Sequence, residues 1–231
     1  VVAHPDDETI GLGASLPLFR DLLLVHVTDG APRNGADARA AGFGDAADYA
    51  TERERELAAA LEAGGVRAAR SALGAPDQGA SDRMAELALR LAGVLRERGS
   101  RAVFTHPYEG GHPDHDAVAW CVHAAARLLA RDGAAPAVFE MAFYHADPEG
   151  WSVGRFLPGG TAPTVLALHD AARNRKRAML DCFCTQRATL AQFPVRDELV
   201  RPAPAGRDFG APPHPGALLY ERFPWGMDGA R

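Results

Sequence analysis

Two short segments of this sequence concentrate side chains that bind metals and move protons. They are Ala3-His4-Pro5-Asp6-Asp7-Glu8 and the stretch from His106 to His115, which reads His-Pro-Tyr-Glu-Gly-Gly-His-Pro-Asp-His. In the first, His4 and Asp7 stand three apart across a turn stiffened by Pro5, so both side chains can converge on one point while Asp6 points elsewhere. That pattern suits two metal ligands flanking a base. The same acidic residues would also serve a helix start by complementing its dipole. In the second segment three His fall within ten residues, and neutral imidazole is the commonest metal ligand once thiolate sites are set aside. One of them, most simply His115, completes a three-ligand set with His4 and Asp7. Three protein ligands plus a water is the pattern of a catalytic zinc site, whereas a structural zinc closes with four protein groups, usually Cys. Cys182 and Cys184 have the wrong spacing for that.

The other candidates carry less. Gly11-Leu12-Gly13 starts like a dinucleotide-binding loop but lacks the third Gly, and the acidic pair before it would repel a pyrophosphate. The run Glu52-Arg53-Glu54-Arg55-Glu56 reads as a solvated helical face with i,i+3 and i,i+4 pairs. His26 within an apolar strand, and His123 and His169 standing alone, read as structural. His145, at a strand end, is open between a site residue and a surface residue.

Short β-rich runs alternating with longer helical patterns predict βαβ units around a parallel sheet. Residues 22–28 form the clearest strand, ending in the turn Asp29-Gly30, with 101–105 and 137–145 as later strands, 66–73 as a weaker one, and 1–3 as the tail of a first. Helices are expected over 47–63, 81–98 with Ser81 as its cap, 112–131 and 171–182. Both chemistry-bearing segments therefore follow strand ends, where open α/β sheets form their ligand crevice. Gly-rich stretches 30–44 and 154–160 are loops long enough to rim a pocket.

The 231 residues carry 25 Lys+Arg against 30 Asp+Glu, a net charge of −5. That balance offers no basic face for nucleic acid. An apolar fraction of 47% with 24% charged residues excludes disorder, collagen and coiled coil, and no apolar run approaches the roughly 18 residues of a membrane span. A soluble, cytoplasmic α/β protein is expected, with oligomeric state open, a homo-oligomer included. Three Cys, at 121, 182 and 184, are too sparse for a secreted disulfide framework and read as core or free thiols. The sequence begins at Val1 with no Met or apolar leader, which reads as a trimmed or processed start and leaves a signal peptide open.

The two segments give the chain a resemblance to the LmbE-like, PIG-L family of zinc-dependent N-acetylglucosamine deacetylases. The family's A-H-P-D-D-E stands complete at Ala3 to Glu8 and its H-P-D-H at His112 to His115. Thr28-Asp29-Gly30 is similar to the family's T-D-G turn, Arg53-x-x-Glu56 to its R-x-x-E helix, and Asp77-Gln78-Gly79 to its short acidic turn. Lys176 with Thr185-Gln186 is similar to its K…S-Q segment, with Thr in place of Ser. The resemblance covers residues 1–195 of a single domain spanning 1–231, in which 196–231 is a Pro/Gly-rich extension packing on the rest. It implies a Rossmann-like α/β sandwich, a mostly parallel sheet with helices on both faces, and hydrolysis of an N-acyl amino sugar of small size. Carried over, it makes His4, Asp7 and His115 the ligands of one zinc per chain, and Asp6 the general base. His112 becomes the acid or oxyanion stabiliser, and Asp114 holds it in place. Arg53, Asp77 and Tyr108 become sugar contacts. Gly110-Gly111 stand just before His112 where some members carry a Tyr, and Tyr108 is the candidate replacement. An amidase acting on a sugar–thiol conjugate would share every motif, and a sugar-binding module without catalysis would not need Asp6.

Overall fold

The computed structural model describes residues 1–229. In chain order the elements are α1 (Asp7–Leu12), β1 (Leu23–Pro32), α2 (Ala36–Ala40), α3 (Ala46–Gly64), β2 (Ala69–Asp77), α4 (Met84–Arg98), β3 (Ala102–Thr105), α5 (Pro113–Ala130), β4 (Ala137–Met141), β5 (Tyr144–Asp147), β6 (Gly150–Val153), β7 (Thr164–Ala167), α6 (Asp170–Leu180), α7 (Arg187–Leu190) and β8 (Asp197–Pro202). They gather into two compact units, each made of separate stretches of chain. Residues 2–79 with 166–198 form the first; residue 1, residues 80–165 and the chain from 199 onward form the second.

In the first unit β1 and β2 pair in parallel from Leu23↔Ala69 to Pro32↔Asp77, with register shifts after His26 and after Thr28. Val2 joins them through a parallel bridge to His26, which is the predicted tail of a first strand. β1 runs on through Asp29-Gly30, where the sequence suggests a turn, and β2 lies three to four residues later than expected. α3 opens on Asp45, whose carboxylate accepts the N–H groups of Ala47 and Asp48 at 2.8 and 2.9 Å, and it stops at Gly65 in the left-handed region at φ 63°. Such a cap satisfies helix N–H groups that have no partner of their own. Its buried face comprises Tyr49, Arg53, Glu56, Leu57, Ala60, Leu61 and Gly64. Arg53 and Glu56 thus leave the predicted solvated face: the 3.6-residue period aligns them with Tyr49, Leu57 and Ala60, while Glu52 and Arg55 pair with each other in solvent at 2.8 Å. α6 packs on α3, and Gly64 makes room for Met179, whose sulfur would lie 2.5 Å from an added Cβ.

In the second unit β3 and β4 are parallel, Ala102↔Ala137 to Thr105↔Glu140, and β8 adds antiparallel to β4 through Met141↔Val200. The sheet is ordered β3-β4-β8-β7. The expected strand 137–145 is two strands, β4 and β5, and β5 turns back into β6 as an antiparallel hairpin. α4 and α5 pack together, burying Leu87, Leu91 and Leu95 with Val118, Val122 and Ala125. The predicted cap at Ser81 is instead part of a short 3-10 turn ahead of α4. Of the Pro/Gly-rich extension 196–231, the first residues are strand β8, and residues 230 and 231 lie outside the described residues.

Candidate functional site

The first unit builds one cluster where residue 3 leaves the sheet. Thr28 donates its backbone N–H, and its hydroxyl, to Ala3 O at 2.9 and 3.0 Å, which fixes the point at which the chain turns into His4-Pro5-Asp6 and then α1. His4 N–H donates to Asp7 Oδ2 at 2.7 Å. The two side chains converge as the spacing predicts, with His4 Nδ1 3.3 Å from Asp7 Oδ2. The other ring nitrogen, Nε2, lies 3.2 Å from Asp77 Oδ1 at the end of β2. Asp6 sits between them with φ 129° and ψ −29°, a conformation L-residues rarely adopt. Three bonds from the buried Arg53 hold this turn: NH1 donates to Gly30 O at 2.8 Å, and NH2 donates to Pro5 O at 2.6 Å and to Asp6 Oδ2 at 2.9 Å. Asp6 N–H donates to Glu8 Oε2 at 3.1 Å, and the same oxygen pairs with His26 Nε2 at 3.0 Å, so His26 is structural as its apolar strand suggests. Burial raises the Asp6 pKa well above the usual carboxylate value; Arg53 opposes, and the neighbouring Asp7 adds to the rise.

The second unit builds a histidine cluster after β3. His112 caps α5, its ring Nδ1 accepting the backbone N–H of Asp114 at 3.1 Å, and Pro113 occupies the first helical turn, where a missing N–H is harmless. Asp114 Oδ1 accepts Ala80 N–H at 3.0 Å. Asp114 thus touches the His112 ring through its backbone N–H, because the cap geometry points that N–H at residue 112. One turn on, His115 stacks on the fully buried His106 with ring centroids 3.9 Å apart, and lies 5.3 Å from His112. Phe143 and Tyr144 close round His115 at 5.2 Å each, and Trp225 packs 4.8 Å from His112. Gly111 is required here, since an added Cβ would meet Tyr144 O at 2.1 Å. Tyr108 lies on the loop's outer side, its hydroxyl donating to Ala211 O at 3.0 Å with Phe209 against its ring at 4.9 Å.

Behind the loop lies a polar network that sequence reasoning did not find. Asp116 Oδ1 accepts the N–H groups of Glu109 and Gly110, each at 3.2 Å, and burial pushes its pKa up to about 7. Glu109 Oε1 accepts from Arg201 NH2 at 2.9 Å and from Leu157 N–H at 3.0 Å, while Arg201 Nε donates to Glu140 at 2.7 Å. A lone Glu in a Gly-rich loop gives no sequence signal of such a role. His106, one of the three histidines that mark the segment, stands beside His115, whereas Tyr144 and Trp225 carry no sequence signal of their place beside the histidines. His145 is buried, its Nδ1 3.5 Å from Glu109 Oε2.

Among solved structures, the A40926 pseudoaglycone deacetylase Dbv21 is similar at 20% identity with a TM-score of 0.64, covering 87% of this chain and 95% of that one. The zinc-inhibited form of teicoplanin deacetylase Orf2 is similar at 18% identity and a TM-score of 0.62, covering 90% and 98%. GalB from Pseudomonas putida KT2440, a 4-carboxy-2-hydroxymuconate hydratase, is similar at 20% identity and a TM-score of 0.62, covering 83% and 80%. These likenesses show the Rossmann-like α/β fold expected from the sequence, and a fold shared by deacetylases and a hydratase does not choose the reaction. No curated protein matches the chain. The model of the PIG-L family, described as GlcNAc-PI de-N-acetylase, matches residues 1–126. That span is more than half the chain and holds both histidine-bearing motifs, so this protein belongs to the PIG-L family.

Proposed function

We propose that this protein is a zinc-dependent hydrolase that removes the N-acetyl group from an N-acetylglucosamine-type amino sugar or a conjugate of one. The observation that carries the reading is the His4–Asp7 pair, a buried nitrogen and oxygen donor 3.3 Å apart. Two donors each about 2.0–2.1 Å from a tetrahedral ion stand about 3.3 Å from one another, so the pair fits a zinc ion. His4 and Asp7 would supply two of its ligands, and the family resemblance assigns the third to His115, with one ion per chain. When bound, zinc lowers the pKa of a water to about 7 and polarises the amide carbonyl.

The remaining steps belong to the chain's own side chains. Asp6 takes a proton from the attacking water, a role its burial favours by raising its proton affinity. That proton passes to the leaving nitrogen, and the acid formed gives up its own to the amine, so water and amide become acetate and an ammonium group with nothing left over. His112, with Nδ1 accepting the Asp114 N–H, keeps its proton on Nε2, and this makes it a neutral donor toward the oxygen that gains charge as water adds. Asp77 beside His4 Nε2 fixes that ring's tautomer, as a carboxylate behind a ligand histidine does. Arg53 positions Asp6, its guanidinium spent on Pro5, Gly30 and Asp6 itself.

The test is a panel of N-acetylglucosaminyl compounds assayed for released amine and acetate. Zinc-loaded protein should release both in equal amounts from at least one of them, lose the activity to a chelator and regain it with zinc. Amine released only from sugar–thiol conjugates would move the protein to the amidase reading. Saturable sugar binding without turnover would make it a binding module.

A further inference from the structure

The last described stretch of the second unit folds back onto the histidine loop. Leu219 N–H donates to Gly110 O at 2.8 Å, and the Leu218 side chain fills the space in front of Gly110, 2.7 Å from where a Cβ would stand. Glu221 ties the fold-back to itself, accepting Leu218 N–H at 2.9 Å and Gly229 N–H at 2.8 Å. Leu218, Leu219 and Tyr220 are buried. Residues 218–229 are thus a fastened clasp, and what it presents is aromatic. Trp225 lies 4.8 Å from the His112 ring, and Phe223 stacks on Trp225 at 4.6 Å with 17° between the planes. Phe223 is 42% exposed, an unusual exposure for a large apolar ring fixed in a stack. A second aromatic pair, Tyr144 and Trp151 at 5.2 Å, stands on the hairpin that closes round His115.

We infer that Phe223 and Trp225 form a binding subsite for an aromatic or apolar group attached to the acetylated sugar. This rests on the reading that His112 meets the scissile amide. Trp225 packs tilted, at 54°, against the His112 imidazole, and Phe223 stacks on it towards the exposed side, so a substrate whose amide lies at His112 carries its next substituent along Trp225 and Phe223. Because the two rings are stacked in nearly parallel planes, each covers one face of the other, and the exposed side of Phe223 offers an apolar platform on which an aryl aglycone extends the stack. The clasp's hydrogen bonds set the rings before binding, so little side-chain entropy is lost when the group docks.

The experiment compares 4-nitrophenyl N-acetyl-β-glucosaminide with the methyl glycoside, on zinc-loaded wild-type protein and on the variants Phe223→Ala, Trp225→Ala and Trp225→Phe. Binding is measured by calorimetry and turnover by amine release. The wild type should prefer the aryl compound, and Phe223→Ala should reduce that preference about three- to ten-fold, the worth of one aromatic contact. Trp225→Phe should keep most of the preference that Trp225→Ala loses. Preferential binding of the aryl compound without release of amine from either would sink the deacetylase reading and leave the subsite standing. Equal affinity of the wild type for both glycosides, or a preference untouched by Phe223→Ala, would overturn the subsite itself, whatever the turnover.

Discussion

Asp6 occupies a backbone conformation that costs roughly 1–3 kcal/mol, and it stays there because Arg53 grips both the Pro5 carbonyl and the Asp6 carboxylate. A lysine at 53 has a single ammonium and could not span Pro5, Asp6 and Gly30 together. Strain held by such a clamp directs one carboxylate away from its neighbour: Asp7 turns to His4, Asp6 to Arg53. The two adjacent acids are therefore expected to fail differently. Asp6→Asn should keep its zinc, measured by elemental analysis, while amine release falls about 10²- to 10⁴-fold, the usual worth of a positioned base. Asp7→Asn should lose zinc. If Asp6→Asn emptied the site and Asp7→Asn did not, the roles would have to be exchanged.

α1 is only six residues long, too short to hold itself, and the first unit supports it from behind. Lys176 on α6 is almost fully buried, donating to Ile10 O at 2.7 Å and pairing with Glu198 at 3.0 Å, and Glu198 also accepts Ala14 N–H at 2.8 Å and the Ser15 hydroxyl at 2.6 Å. Removing one partner of a buried ion pair leaves an uncompensated charge, so Lys176→Ala should cost about 3–5 kcal/mol in urea unfolding, while Lys176→Met with Glu198→Leu should recover most of it. A double variant no more stable than the single would show that Glu198 serves Ala14 and Ser15 more than Lys176. Glu56 plays a similar part, accepting Thr185 N–H at 2.8 Å and its hydroxyl at 2.6 Å, so the R-x-x-E and T-Q segments bond to one another. The convergence of His4 with Asp7 was legible because a spacing of three across a proline turn leaves few alternatives. In the first unit α3 and α6 were legible through their helical period, whereas the five-residue α2, inside the stretch 30–44 expected as a loop, is too short to show one. The burial of Arg53 and Glu56 was not, since charged residues at helical spacing look the same in solvent and in a core until their partners, 23 to 129 residues away, are known. The break between β4 and β5 was hidden too, because a run that stays β-prone on both sides of Ala142 carries no mark of a change of partner strand.

Each unit is discontinuous in sequence, and the chain passes from one to the other near residues 1, 79, 165 and 198. The family match ends at residue 126, inside α5, which runs to Ala130. Both histidine-bearing motifs precede that point, yet neither unit is complete there. The first lacks α6, whose Met179 fills the space left by Gly64 and whose Lys176 braces α1. The second lacks β4 and β8, leaving β3 without the strand it pairs with, and loses Arg201, the cation paired with the buried Glu109. Unpaired edges and buried unpaired carboxylates each carry a penalty that a small remaining core does not offset. A chain cut after residue 126 should therefore show no cooperative thermal transition by circular dichroism and no stoichiometric zinc, although it retains every residue assigned to the metal. A cut chain that melted cooperatively and bound one zinc would mean that the motif region folds by itself, and that the later segments serve the substrate instead of the scaffold.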